Sequence, residues 1–269
     1  MANEVSTDLI EKIREADMVL VGVGEDLQVK LEELEKIPAF VEKRNELMDD
    51  ENGEYWYPYL IRHFLQPEFF PEKVKFYQKV KTLLEGKNYF VVSLCTDDIM
   101  KSVFSADKSA EKCVYPCGGY DKLQCPRNCN EKISAFPSEL SQNMIKWIDS
   151  EISLKDMEMP VCPDCGEALV FNQIGCGNYA ETYLDRWKRY QLWLEGTMNC
   201  SLTILELGVG MRYPSAFRWP VEKIIAYQKK AFLYRVHETL YHLPAEGSER
   251  ASSVKQDPEK YIMNIVEDT

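Results

Sequence analysis

Hydrophobic residues recur along this chain with two alternating periods. In "STDLIEKIREADM", Leu9, Ile10 and Ile13 share a helical face, and Ser6 or Thr7 is placed to accept from the first free amides. Met18 to Val23 is then nearly all apolar, as expected for a strand buried on both faces of a parallel sheet. It runs into "GVGE", Gly22 to Glu25, where two glycines one apart allow a tight turn and close approach to a ligand. The unit repeats in "PEKVKFYQKVKTLLEGK", with Val74, Tyr77, Val80, Leu83 and Leu84 at helical spacing, a stop at Gly86, and the strand "NYFVVSL". A third strand spans Leu202 to Gly210, and "WPVEKIIAYQKKA", with Pro220 in its first turn, leads to a fourth, "FLYRV".

Helices alternating with buried strands predict an α/β, Rossmann-like doubly wound parallel sheet, with ligands at the carboxyl ends of the strands. Two stretches break the alternation. Residues 26–71 read as a helical insertion, charged and then aromatic, and residues 113–177 are rich in Cys, Pro and Gly. The expected organisation is a sheet domain in two parts, 1–112 and 178–245, a small domain at 113–177, and a polar tail at 246–269.

Net charge changes the picture by exclusion: at −12 the chain repels the phosphate backbone, so no nucleic-acid partner is expected. Nothing approaches the roughly 18 to 20 apolar residues of a membrane helix, so no membrane association is expected. Acids at Glu4, Asp8 and Glu11 stand where a signal peptide would carry its apolar block, making the cytoplasm the expected compartment.

Nine cysteines without an export signal favour metal ligation or free buried thiols over disulfides. Cys125 and Cys129 in "LQCPRNC", with Cys162 and Cys165 in "CPDCG", form two short-spaced pairs able to close a tetrahedron around one structural zinc ion. Cys113 and Cys117 have the same gap and compete as ligands; buried thiols or a redox pair are the alternatives. A four-thiolate zinc has no open position, so activity must come from elsewhere.

The stretches "MVLVGVGE", "YWYPYLIRHF", "KNYFVVSLCTDD", "CGGYDKLQC", "CPDCG" and "ILELGVGMRYPSAFRWPVEKI" together resemble the sirtuins, most closely the class M branch encoded with macrodomain proteins in bacteria. The resemblance implies an NAD-binding domain and a small zinc domain with NAD in the cleft between them. It implies cleavage of the nicotinamide–ribose bond, with protein ADP-ribosylation or deacylation of an acceptor protein as the outcome. Carried over by position, Gly22 and Gly24 resemble the first cofactor-lining glycines, and Gly208, Gly210 and Pro214 the late ribose and phosphate turn. Asp97, or Asp98 in a register slipped by one, resembles the aspartate facing the nicotinamide amide, and Cys95 stands where the family has asparagine. His237 falls where an asparagine touches the adenosine ribose; ending the strand is its other reading.

The departures weigh against turnover. "EDLQVKLEELEK" replaces the family's Ala-x-Gly-Ile-Pro-Asp-Phe-Arg loop, and Glu25 sets a carboxylate where a small hydroxyl residue is usual. A like charge beside a pyrophosphate costs on the order of 1 kcal/mol or more unless it points away. Cys117 occupies the slot of the deacylase histidine, as a base or nucleophile if a cation activates it and otherwise as an inert thiol. An NAD-dependent ADP-ribosyltransferase, a catalytically impaired NAD or ADP-ribose sensor or scaffold, and a zinc-stabilised interaction protein are the three readings that follow. Arg62 and His63 either approach the cleft or pack the insertion. Tyr183, Trp187, Tyr190 and Trp193 are expected as packing between the lobes. Glu206, in an apolar strand, needs a partner and is expected to be structural.

Overall fold

The computed structural model describes residues 2–105, 107–129 and 133–265, with the backbone alone at 2–7. The first helix, α1, runs Ala2–Glu15. Ser6 and Thr7 therefore lie inside it and do not begin it, and their side chains lie outside the described residues.

Strand β1 (Met18–Val23) is followed by the short helices α2 (Leu31–Leu34), α3 (Pro38–Met48) and α4 (Gly53–Phe64), which form the insertion. Helix α5 (Pro71–Leu83) leads to β2 (Asn88–Ser93), and α6 (Ile99–Phe104) to β3 (Cys113–Val114). Strands β4 (Gly118–Gln124) and β5 (Ile133–Ala135), helix α7 (Ser138–Ile148) and strand β6 (Val170–Gln173) make the small lobe. The chain returns through α8 (Leu184–Glu195), β7 (Leu202–Leu207), α9 (Arg218–Tyr227), β8 (Ala231–Val236), β9 (Ala251–Val254) and α10 (Pro258–Ile265).

The large sheet has the order β3-β2-β1-β7-β8-β9, and every pairing is parallel. Every residue of β1 and β7 is buried, because both faces are covered. Val19, Val21 and Val23 join a core with Leu9, Ile13, Phe76 and Ile262, whereas Met18 and Leu20 join one with Tyr190, Phe217 and Ile225. Period-two alternation thus feeds helices on both faces. Chain direction across the sheet reverses between β1 and β7, the point where a doubly wound sheet leaves a crevice at its carboxyl edge.

Three expectations change. The stretch expected as a polar tail carries two elements within residues 246–265: β9 adds a sixth strand beside β8, and α10 buries Tyr261, Ile262 and Ile265. Cys113 belongs to the large sheet through its pairing with Val91. Of the four aromatics expected between the lobes, those of α8 pack on the large sheet: Tyr190 lies 5.3 Å from Phe90 by ring centroid with Trp187 against it, and the Trp193 indole N–H donates to Asn88, whereas Tyr183, just before α8, stacks on Tyr179 and lines the space between the lobes.

In the small lobe β4 lies between β5 and β6, antiparallel to both. The insertion grips it: the Tyr59 hydroxyl donates to Leu169 O at 2.9 Å, and the Trp147 indole N–H of α7 donates to Glu46 at 2.8 Å. Arg62 stacks 3.5 Å above Phe136 and donates to Tyr120 O, and His63 packs against Phe64 and Phe69. His63 therefore takes the packing alternative, while Arg62 packs the insertion and also lies within reach of the charges of Asp98 and Asp121. Among the described residues no helix is long and apolar enough to cross a membrane.

Candidate functional site

The turns after β1 and β7 meet at the reversal point so closely that their glycines serve the chain itself. A Cβ on Gly24 would stand 2.0 Å from Gly208 O, and one on Gly22 would strike the Phe217 ring at 2.2 Å. Gly208 takes φ +60, where a side chain is disfavoured. Gly22 and Gly24, expected to line a cofactor, are thus required first by contact between the chain's own elements.

Beyond Gly24 the chain forms a one-turn strap, Glu25–Leu27, tied with the two residues after it to the ends of three other strands. The Glu25 carboxylate accepts from Gly210 N–H at 3.2 Å and from Arg212 N–H at 3.0 Å, in the turn after β7. Asp26 lies 3.0 Å from His237 Nε2, at the end of β8. Gln28 accepts from Thr96 N–H, and Val29 N–H donates to Asp97, both beyond β2. Buried Lys73 of α5 fastens the strap from beneath by donating to Leu27 O at 3.1 Å.

His237 ends β8 and spends its ring on this arrangement. Its Nδ1 accepts from Thr239 and Leu240 N–H, which leaves the proton on Nε2 facing Asp26. Burial lowers its pKa, so the ring is neutral near pH 7. Pro214 sits in the turn before α9, its carbonyl accepting from Trp219 N–H. Arg218 braces that turn by donating to Val209 O and Leu240 O.

The two adjacent aspartates separate by environment. Asp97 is buried and accepts from Val29 and Ile99 N–H, which makes it a staple between the strap and α6. Asp98 lines, together with Asp97, a cavity of about 300 Å³ between the large sheet and the small lobe, whose other walls include Cys95, Lys101, Asp121 and Arg186. Burial raises its pKa to about 6, with Lys101 opposing and Asp121 reinforcing the shift. The cavity adjoins the β1 turn, because the Cys95 thiol donates to Gly24 O at 3.2 Å. Lys101, Asp121 and Arg186 were not singled out from sequence. Lys101 stands three residues after Asp98 at the start of α6, a local signal that would have found it.

Cys117 is 1% exposed, and burial first, then the charge of Glu25, pushes its pKa up to about 12. It is a thiol at neutral pH. Cys113 is raised likewise by burial and donates to Ser109 O.

Cys125, Cys129, Cys162 and Cys165 bring their sulfurs within 4.8 Å of one another. Two of these separations are 3.7 Å and 3.6 Å, close to the edge of about 3.8 Å expected for a tetrahedron with zinc–sulfur bonds of about 2.3 Å. Each pair sits on a tight turn with one left-handed residue, Asn128 at φ 52 and Gly166 at φ 73. Backbone N–H groups of Cys129 and Arg127 lower Cys125 to about 6. Neighbouring sulfurs raise Cys129 to about 12, a conflict that a dication would resolve. The cluster is therefore one that could hold zinc.

Glu206 finds the partner it needs. Arg235 donates to it at 2.8 and 3.1 Å, and Arg218 lies 3.6 Å away, which stiffens β7 and β8 just before their turns.

No known protein-family model matches the chain. It is 23% identical over 264 residues to a protein ADP-ribosyltransferase of Staphylococcus aureus (strain Mu50), covering 91% of this chain and 82% of that protein. It is 28% identical over 115 residues to a probable bifunctional ADP-ribose hydrolase/ADP-ribosyltransferase of Fusarium oxysporum f. sp. cubense, spanning 41% of this chain and 19% of that protein. Among solved structures it is similar to a mutant Sir2 homologue in complex with 2'-O-acetyl ADP ribose, with a TM-score of 0.53, 14% identity, and coverage of 97% of this chain and 95% of that one. The chain thus shares the fold of a Sir2 homologue.

Proposed function

We propose that the chain is an NAD-dependent protein ADP-ribosyltransferase of sirtuin type, its small lobe held by one structural zinc. The observation that carries this is the amide nest at the sheet's reversal point. The N–H groups of Gly210 and Arg212 already converge on an anion, the Glu25 carboxylate, where a doubly wound fold seats a dinucleotide. The similarity along 91% of the chain to a protein named for ADP-ribosyl transfer supports the same class.

When bound, NAD would supply a ribosyl carbon carrying nicotinamide as a leaving group. Gly210 and Arg212 would hold the diphosphate, with the Gly24 and Gly208 turns as the floor of the crevice. Asp98 is the group suited to move a proton: titrating at about 6 in a cavity that opens between the lobes, it would accept one from an incoming side chain of the acceptor protein. Asp97, which lines the same cavity and accepts from two backbone amides, would hold the strap against α6 beside it. Cys125, Cys129, Cys162 and Cys165 would hold zinc, which closes the small lobe and takes no part in chemistry.

Cys117 favours a second reading. A thiol raised to about 12 supplies no base in the slot used for deacylation, so deacylase activity is not expected, and binding of NAD or ADP-ribose without turnover is the alternative. A proton NMR time course of NAD with the zinc-loaded protein separates them. Saturation transfer to adenine and ribose protons with nicotinamide growing in supports the transferase, and transfer without nicotinamide supports the sensor. No saturation transfer contradicts both.

A further inference from the structure

The strap that follows β1 places an acid where the crevice's anion site opens. Glu25 Oε1 and Oε2 each accept one amide N–H of the β7 turn, and a Cβ on Gly210 would lie only 2.7 Å from Oε1. The carboxylate therefore lies against the glycine backbone, in the space a phosphate oxygen needs to reach the same amides. Neighbouring contacts fix it there: Asp26 against His237, Gln28 and Val29 tied beyond β2, and Lys73 on Leu27 O. No residue close in sequence dictates this position, since Glu25 and the two amides that donate to it lie 185 and 187 residues apart along the chain.

We propose that Glu25 is a built-in competitor for the phosphate subsite, so that a nucleoside diphosphate ligand binds only by displacing the Glu25 carboxylate from the Gly210 and Arg212 amides. Two anions cannot share two N–H donors, and a carboxylate already in place is a like charge against the incoming diphosphate. Glu25 thereby sets how much of a ligand's affinity comes from its phosphates. The neutral adenosine part gains or loses nothing from the exchange, whereas the diphosphate part is discounted. This rests on the assignment of the crevice to an ADP-ribosyl ligand.

The test is calorimetric titration of the zinc-loaded full chain, as wild type, Glu25→Gln and Glu25→Ala, with ADP-ribose and separately with adenosine. Glu25→Gln keeps an acceptor oxygen for one amide and so retains the strap if Glu25→Ala does not fold; melting curves identify which variants are folded. The expected result is a gain of about tenfold or more in ADP-ribose affinity in each folded variant, equivalent to about 1.4 kcal/mol, with adenosine affinity unchanged. If wild type binds ADP-ribose and the folded variants bind it no more tightly, Glu25 is not a competitor and only this inference fails. An equal gain for adenosine overturns it as well, because the effect would not lie at the phosphates. If no folded protein of the three binds ADP-ribose, the assignment of the crevice fails and the inference fails with it.

Discussion

Asp98 and Asp97 are neighbours in sequence and opposites in role. Both line the cavity and burial raises both, but Asp97 has two backbone amides to satisfy it, whereas Asp98 has Lys101 as its nearest cation, at 3.6 Å, and is held at about 6. A carboxyl whose folded pKa lies above its unfolded value stabilises the fold as the neutral acid. That contribution is present below about pH 4 and is lost as pH rises through about 6. Asp98→Asn should therefore raise the melting temperature at pH 7.5 by roughly 2–4 °C, corresponding to on the order of 1 kcal/mol, and leave it unchanged at pH 4. If Asp98 is the proton acceptor of transfer, the same variant should lose about 100-fold or more in rate while gaining stability. A lower melting temperature at pH 7.5 would show that the charge is well satisfied. Which of the two aspartates the backbone amides would satisfy was not legible from "CTDD", because that depends on how the strap lies across the end of β2.

Elements meet at two kinds of glycine. Gly24 touches backbone across the reversal point, so a Cβ there meets Gly208 O at 2.0 Å with no flexible side chain to yield. Gly166 has open space around its Cβ position and is needed for its φ of +73 alone. Urea unfolding should rank them: Gly24→Ala costs about 3 kcal/mol, and Gly166→Ala about 1 kcal/mol in the zinc-loaded protein. Equal costs would contradict the close contact of the two turns. The cysteine turns carry the second element-scale expectation. Metal analysis should find one zinc per chain, reduced to less than about half by Cys162→Ser, and Cys113→Ser should leave it unchanged. A four-cysteine cluster was legible from spacing, which leaves Cys113 and Cys117 level with Cys125 and Cys129, and only the sequence "LQCPRNC" favours the latter pair; α5, β1, β2, β7 and β8 were legible from periodicity. Strands β3 and β9 were not. The first is two residues long, and the second, "ASSV", sits at a sheet edge where one open side removes the need for an apolar run.

At the scale of the whole molecule, a six-stranded parallel sheet and a small three-stranded sheet are joined through the helical insertion, which grips the small lobe with Glu46, Tyr59 and Arg62. The alternation of helices with apolar strands announced the large sheet, and the order of motifs resembled the sirtuins before any contact was known. What sequence could not place was the strap. Its ties run from Glu25 to residues 210 and 212, from Asp26 to His237 and from Val29 to Asp97, and such long-range pairs leave no local pattern. The central claim, that the crevice between the β1 and β7 turns receives an ADP-ribosyl ligand, is tested most directly by hydrogen–deuterium exchange of the zinc-loaded protein with and without saturating ADP-ribose. The account predicts changed exchange concentrated in peptides spanning 22–29 and 207–213. Changes confined to another surface, or none, would contradict it.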